Sequence, residues 1–244
     1  MSQHACMIAE RRIGSCADFA HDIMRNETDQ EMYLLQKRFK IMSSDERLLN
    51  IVMSYREKLQ KKIQIRKKEM EEDNNDHYMI YNALGFTSEE GYQIDYQQNV
   101  GRFLYKYAGS MLEELTINCL KQAFPQAQEK VKLLNTIDKS PKHVEIDCLV
   151  DDRAYEIKWK DATTDGDHIK KEHKRVQVIK DAGYTPIRIM FFEPNREQAI
   201  RIQATLKQLY KDVGGEYYAG EDAWNYLMQE TGVNLKEFFN KMKE

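Results

Sequence analysis

The sequence is poor in proline, glycine and cysteine. Only 4 of its 244 residues are proline, 11 are glycine and 4 are cysteine. No segment approaches the 18 or so consecutive apolar residues of a membrane-spanning helix, so we expect no membrane segment. The first residues, MSQHACMIAERR, lack the basic and then apolar order of a signal peptide. These absences predict a cytoplasmic protein.

The four cysteines do not form a recognisable pattern. Cys6, Cys16, Cys119 and Cys148 show neither a CxxC pair nor the spacing of a zinc site. We therefore expect reduced thiols in a reducing compartment.

Charge is balanced over the whole chain but unevenly distributed along it. The formal net charge is -3, so the total does not indicate a nucleic-acid partner. Up to about Asn75 the chain has one glycine and no proline, which predicts helix, with a capping box at Ser43 and Glu46. The segment 56–68 then carries seven cations against one acid. It is either a solvated helix face or a contact to the DNA backbone, and its candidate contacts are Lys61, Lys62 and Arg66.

The middle of the chain predicts one further strong helix. Thr87 begins a second capping box with Glu90, and residues 91–99 are interpreted as a loop or short helix. Apolar residues at helical spacing predict a helix over 102–123, which Pro125 ends.

After this helix, the sequence pattern changes to the mixture of strands and helices that is typical of an α/β protein. Alternation and β-branched residues predict strands at 144–150 and 154–160, joined by a turn at 151–153 into a hairpin. A helix at 165–182, a buried strand at 187–192, a helix at 196–210, a short strand at 216–219 and terminal helices are predicted to follow.

The hairpin carries a set of residues that suits phosphodiester hydrolysis. Glu156 and Lys158 are two apart on one strand and therefore share a face, and Asp147 lies on the partner strand. Ile157 and Trp159 are predicted to face the core. Two carboxylates can hold a divalent cation, and a lysine can stabilise the charge that develops on phosphorus. The alternative is an ordinary polar face of a half-buried hairpin.

These residues resemble the D-x(n)-(D/E)-x-K signature of the PD-(D/E)XK nuclease superfamily. The resemblance extends from about Arg102 to Ala219 and implies a restriction-endonuclease-like core, a mixed central sheet flanked by helices, with Asp147, Glu156 and Lys158 as catalytic residues. It also implies Mg²⁺ held by Asp147, Glu156 and the carbonyl of Ile157. The usual proline before the first aspartate is replaced by Ile146.

The same resemblance implies one more carboxylate on the helix before the hairpin. Gly109-Ser110-Met111-Leu112-Glu113-Glu114 is similar to the start of the helix that supplies it, with the acid four residues after the glycine. This selects Glu113 as a further catalytic candidate, and Glu114 is the alternative.

A narrower resemblance concerns residues 156–168, His173 and the turn at 183–186. These are similar to the ApaLI-type restriction endonucleases. That likeness implies a bacterial type II enzyme that cuts double-stranded DNA at a short palindrome, alongside a companion methyltransferase. A palindrome is usually read by a symmetric dimer, so a homodimer is expected. Residues 1–100 are then a helical region for dimerisation or for clasping DNA, and residues 101–244 are the nuclease core.

The segment after the hairpin supplies candidate DNA contacts. Its cations are candidates for phosphate, and its hydroxyl, acidic and imidazole groups are candidates for the cleft or base edges. These candidates are Lys160, Thr163, Thr164, Asp165, His168, Lys170, Lys171, His173, Lys174 and Arg175. The alternative for each is a solvated loop or helix residue.

Two other functions are compatible with the sequence. One is a different PD-(D/E)XK DNA nuclease, such as a repair nuclease or junction resolvase. The other is a non-catalytic DNA-binding helical protein, which the long charged helices favour.

Overall fold

A computed structural model describes residues 29–138, 140–160 and 166–242 of the chain. By internal contacts the chain divides into two compact units, Met1–Arg47 and Leu48–Glu244. The functional residues considered below lie in the second unit. Among the described residues, no helix is both long enough and apolar enough to cross a membrane.

From residue 29 onward the N-terminal part is helical, as the sequence predicts, and the same prediction for residues 1–28 lies outside the described residues. Helix α1 (Asp29–Glu71) runs through Ser43 without a break, so the predicted helix start there is wrong. The residues before it, such as Gln30, Leu34 and Lys37, are good helix formers, and a capping signature does not start a helix inside a chain that is already helical. The short helix α2 (Tyr78–Ala83) follows.

Helix α3 (Ser88–Ala123) is longer than predicted. Its capping box at Thr87 and Glu90 is confirmed, with the Thr87 amide donating to Glu90 Oε2 at 2.7 Å. The predicted loop or short helix at 91–99 is wrong, because α3 continues through it. Gly91 there serves close packing, since a Cβ atom would lie 2.6 Å from the Tyr81 ring. Residue 100, the predicted domain boundary, lies inside α3.

The described strands form one mixed sheet in the order β1-β2-β3-β4-β5. They are β1 (Gln128–Leu134), β2 (His143–Val150), β3 (Arg153–Lys160), β4 (Thr185–Phe192) and β5 (Glu216–Ala219). The first three are antiparallel neighbours, and β3, β4 and β5 are parallel. The predicted α/β class with a mixed central sheet is confirmed, as is the hairpin. No strand was predicted at the position of β1.

Helices pack against this sheet on both faces. They are α4 (Gly166–Asp181), α5 (Glu197–Asp212), α6 (Glu221–Thr231) and α7 (Leu235–Lys241). Tyr155 and Ile157 of β3 share one apolar cluster with residues of α3, α6 and α7. Ala154 shares a second cluster with Ile179 of α4. Because alternate strand residues point to opposite faces, the two clusters lie on opposite sides of the sheet.

Candidate active site

The site begins where the pairing of β2 with β3 stops. Cα partners run from Val150 and Arg153 to Cys148 and Tyr155 and go no further along the hairpin. At the next position the side chain of Asp147 replaces a strand bond, because its Oδ2 accepts from the Ile157 amide at 2.8 Å. The carboxylate is therefore fixed by the backbone of the neighbouring strand.

Asp147, Glu156 and Lys158 lie together at this point. Lys158 Nζ is 3.7 Å from Asp147 Oδ2 and forms an ion pair with Glu156. Ile157 and Trp159 pack with the apolar cluster on the other side of β3, as the alternation predicts. The structure thus brings together the three side chains that the sequence analysis selected.

Both carboxylates are buried. Glu156 is 1% exposed and Asp147 is 8% exposed. Burial, followed by the nearby Glu156 carboxylate, raises the pKa of Asp147 to about 6, while Lys158 opposes that shift. Two ionised carboxylates at one buried site repel each other, and nearby cations are required to stabilise both charges.

A charged network between α4 and the sheet supplies such cations. Arg175 of α4 forms an ion pair with Glu156. One turn earlier, Glu172 lies 3.1 Å from the fully buried Arg188 of β4 and accepts a hydrogen bond of 2.6 Å from Tyr210. Arg175 was predicted only as a phosphate contact, and the structure gives it a place beside the candidate catalytic acid.

We did not predict Glu172, Arg188 or Tyr210 from the sequence, although one signal was present. Arg188 interrupts the apolar run of β4, and a charge inside a buried strand requires a partner. The identity of that partner depends on α4 folding back over the sheet, which local sequence does not give.

The two glutamates of α3 point to different partners. Glu113 forms an ion pair with Lys130 of β1, and Lys130 Nζ also lies 3.7 Å from Asp147 Oδ1. Glu114 instead accepts a hydrogen bond of 2.8 Å from Tyr55. Of the two, Glu113 is therefore the one beside the site, and Lys130 is a neighbour that sequence reasoning did not find.

A family model described as ApaLI-like restriction endonuclease matches residues 24–244, which is most of the chain. The chain belongs to the ApaLI-like restriction endonuclease family. This match confirms the narrower of the two resemblances seen in the sequence and supports a type II restriction endonuclease. No curated protein and no solved structure matches the chain.

In this ApaLI-like protein the predicted DNA contacts of α4 have different surroundings. Lys170, Lys171 and His173 are exposed. Lys174 instead lies 2.6 Å from Asp138 and donates to the Ser140 carbonyl at 2.6 Å. Lys160, at the end of β3, is half-buried. Thr163, Thr164 and Asp165 lie outside the described residues, as does the side chain of His168.

The three cations predicted on α1 are not equivalent. Lys62 lies over the Phe103 ring, with Nζ 5.6 Å from its centroid, and Arg66 donates to Asn99 at 3.2 Å. Both side chains therefore contact α3. Lys61 is exposed.

The donor set of the site fits a hard divalent cation. Neither solvent-inaccessible oxygen of Glu156 has a hydrogen bond of ordinary geometry, although the carboxylate has its two ion pairs. The described residues contain no cluster of three or more His, Cys, Asp or Glu side chains that could hold a metal. Mg²⁺ does not need one, because it is usually bound through one or two carboxylates, with water and phosphate as the other ligands. Asp147, Glu156 and the Ile157 carbonyl match that requirement.

Proposed function

We propose that this protein is a Mg²⁺-dependent type II restriction endonuclease with a PD-(D/E)XK active site. It would hydrolyse phosphodiester bonds of double-stranded DNA at a short palindromic site. The observation that carries the proposal is the convergence of Asp147, Glu156 and Lys158 at the end of the β2–β3 ladder. Membership of the ApaLI-like family supports the restriction activity.

Asp147, Glu156 and the carbonyl of Ile157 are the proposed metal ligands. Mg²⁺ held by these groups would offset negative charge at the scissile phosphate and would make a water molecule more acidic. The Ile157 amide keeps Asp147 in one orientation, so that its carboxylate does not have to be ordered when substrate arrives. Arg175 forms an ion pair with Glu156 at the same oxygen, Oε1, that Lys158 contacts, and so helps to hold this carboxylate in place.

Lys158 is proposed as the residue that stabilises charge on the reacting phosphate. Its ammonium lies between the two acids and also donates to the Ile157 carbonyl at 3.2 Å. A fixed ammonium beside the developing negative charge lowers the barrier without reorganisation during the reaction. Glu113 is proposed as an additional carboxylate of the centre, next to Asp147 through Lys130.

DNA would lie across the site and along α4. The exposed Lys170 and Lys171 are proposed phosphate contacts, with Lys174 and Arg175 nearer the protein interior. The exposed His173 and the residues predicted between β3 and α4 are proposed to line the cleft or reach base edges.

The proposed oligomeric state follows from a palindromic site. A two-fold symmetric site favours a homodimer, and residues 1–100 are proposed to form its contact or to clasp DNA. Apolar side chains exposed on and after α2, among them Met79, Ile80 and Leu84, are available for such a contact. A cytoplasmic bacterial protein with a companion methyltransferase is part of the same proposal.

Digestion of plasmid DNA of known sequence with Mg²⁺ tests this function directly. We expect discrete bands whose mapped ends share one palindromic sequence. Nicking without a sequence preference, or cutting confined to branched DNA, would favour a repair nuclease or junction resolvase. Binding without any cutting would favour the non-catalytic DNA-binding protein.

A further inference from the structure

Lys130 adopts an unusual backbone conformation for a strand residue. Its φ is 53°, and among the described residues only Asp151 is another non-glycine residue with positive φ. Asp151 lies in the tight turn of the β2–β3 hairpin, where such a conformation is common for Asp. Lys130 lies inside β1, where no turn requires it, and for a lysine this conformation is strained.

Core packing does not explain the strain. Lys130 is exposed. The pairing of β1 with β2 includes Glu129 with Cys148 and Val131 with Ile146, but it passes over the facing residues Lys130 and Asp147. The irregular backbone therefore lies opposite the candidate catalytic Asp147. Regular pairing of β1 with β2 is present on both sides of this position.

The side chain of Lys130 reaches two carboxylates of the site. Its ammonium forms an ion pair with Glu113 and lies 3.7 Å from Asp147 Oδ1. The other oxygen of Asp147, Oδ2, accepts from the Ile157 amide. The Lys130 ammonium therefore lies near one oxygen of the Asp147 carboxylate, and the Ile157 amide donates to the other.

We propose that Lys130 is a positioning residue of the active centre, set by a strained backbone between Glu113 and Asp147. Its ammonium orients Asp147 and offsets the charge of the two acids. For the same reason it competes with a divalent ion for their oxygens. This inference rests on the proposed function, in which Asp147 is a metal ligand.

Replacing Lys130 should therefore strengthen divalent binding and slow cleavage. Loss of the ammonium leaves more negative charge around the ion, so divalent binding becomes tighter. Loss of the orientation of Asp147 makes cleavage slower. If the role of Lys130 were purely structural, its replacement would change metal binding or cleavage only together with a loss of stability.

Lys130→Gly is the decisive variant, because glycine accepts a positive φ without strain. Lys132→Gly is its matched control, since Lys132 is another exposed lysine of β1, two residues along the same strand and without a positive φ. Both variants add a glycine to the strand and remove one positive charge. Lys130→Arg keeps the charge and the strain.

The first measurements are thermal melting and Ca²⁺ titration calorimetry at pH 8 without DNA. Lys130→Gly should melt at or above the wild-type temperature, whereas Lys132→Gly should melt below it. Ca²⁺ affinity should rise at least about threefold in Lys130→Gly and stay within about twofold in Lys132→Gly and Lys130→Arg. In DNA cleavage, Lys130→Gly should lose at least about tenfold in kcat with KM changed by less than about threefold.

The Ca²⁺ result decides the proposal whether or not the wild-type protein cuts DNA. Unchanged affinity in Lys130→Gly, or no Ca²⁺ binding by any variant, would overturn the role of Lys130. A melting temperature lower than that of Lys132→Gly would show a structural residue instead. Plasmid cleavage by the wild-type protein tests the proposed function separately.

Discussion

Asp147 Oδ2 accepts a hydrogen bond of 2.8 Å from the backbone amide of Ile157, at the point where regular pairing between β2 and β3 has ended. A side chain thus takes the position of a strand carbonyl. The bond fixes a buried carboxylate beside Glu156 and Lys158, and it connects the geometry of the sheet to the geometry of the proposed metal site.

The first prediction concerns the three converging side chains. Asp147→Asn, Glu156→Gln and Lys158→Met should each lower Mg²⁺-dependent cleavage by at least about a hundredfold, because each removes a charge from the reacting centre. DNA binding, measured by gel shift in Ca²⁺, should persist. Asp151→Asn is the control, since Asp151 lies in the turn at the other end of the hairpin and should cut within about twofold of wild type. Full cleavage by any of the three variants would refute the assignment.

Much of this site could be predicted from sequence because the hairpin is local. Alternation in β2 and β3 fixes which residues share a face, and the turn at 151–152 brings Asp147 opposite Glu156. Lys130 could not be found in the same way, because the run QEKVKLL of β1 is mostly exposed and has no apolar alternation as clear as that of β2.

The network of Arg175, Glu172 and Arg188 escaped prediction for a different reason. These residues meet only after α4 packs over the sheet, which is a contact between distant parts of the chain. Their charges resemble those of a solvated helix when read along the sequence. Residues 91–99 were predicted as a loop or short helix, whereas α3 continues through them and Gly91 allows close contact between α2 and α3.

The second prediction concerns the contact between α3 and β3. A Cβ atom on Gly109 would lie 2.9 Å from Trp159 Cδ1, next to the candidate catalytic Lys158. Gly109→Ala should therefore displace the indole and lower the free energy of unfolding by about 1–3 kcal/mol, as overpacking does, with a loss of cleavage. Gly101→Ala in the same helix meets no atom within 4 Å and should instead be stabilising, by roughly 0.5–1 kcal/mol. Urea denaturation measures both, and equal stability of the two variants would contradict the packing argument.

The third prediction concerns Arg175, whose side chain is 28% exposed and pairs with the buried Glu156. Arg175→Met should reduce cleavage and lower the free energy of unfolding by about 2–3 kcal/mol, somewhat less than a fully buried pair would cost. Lys180→Met, an exposed position on the same helix, should change stability by less than about 0.5 kcal/mol. If Arg175→Met weakened DNA binding while leaving stability and turnover at the wild-type level, Arg175 would be a phosphate contact only.

The fourth prediction concerns DNA binding by the exposed face of α4. Lys171→Ala should weaken binding in Ca²⁺ and make the slope of log affinity against log salt less steep by about 0.9, as expected for one lost phosphate contact. Lys180→Ala, in the last turn of the helix, should leave the slope unchanged. Fluorescence anisotropy with a short duplex over a range of salt concentrations measures both slopes. Identical slopes for the two variants would exclude Lys171 from the DNA contact.

The fifth prediction is a pH dependence of stability that originates at Glu172. Burial disfavours its ionised form, but Arg188, Arg175 and the Tyr210 hydrogen bond outweigh burial and hold the pKa of Glu172 at about 2. Since this pKa is lower in the folded protein than in the unfolded chain, where it is about 4.3, the ionised group stabilises the fold above that pH. The contribution is lost as the pH falls from there towards 2.

Glu172→Gln tests this dependence because it removes the charge and leaves Arg188 buried without that carboxylate. At pH 7 it should lower the free energy of unfolding by about 3–5 kcal/mol, as breaking a buried ion pair does. The difference from wild type should shrink as the pH is lowered from about 5 to 3, because Glu172 then takes up a proton in the unfolded wild-type chain while it is still ionised in the folded protein. Glu197→Gln, which alters an exposed carboxylate paired with Arg201, should follow the wild-type curve throughout. A gap between Glu172→Gln and wild type that stays constant over this range would mean that packing, and not the charge of Glu172, stabilises the network behind Glu156.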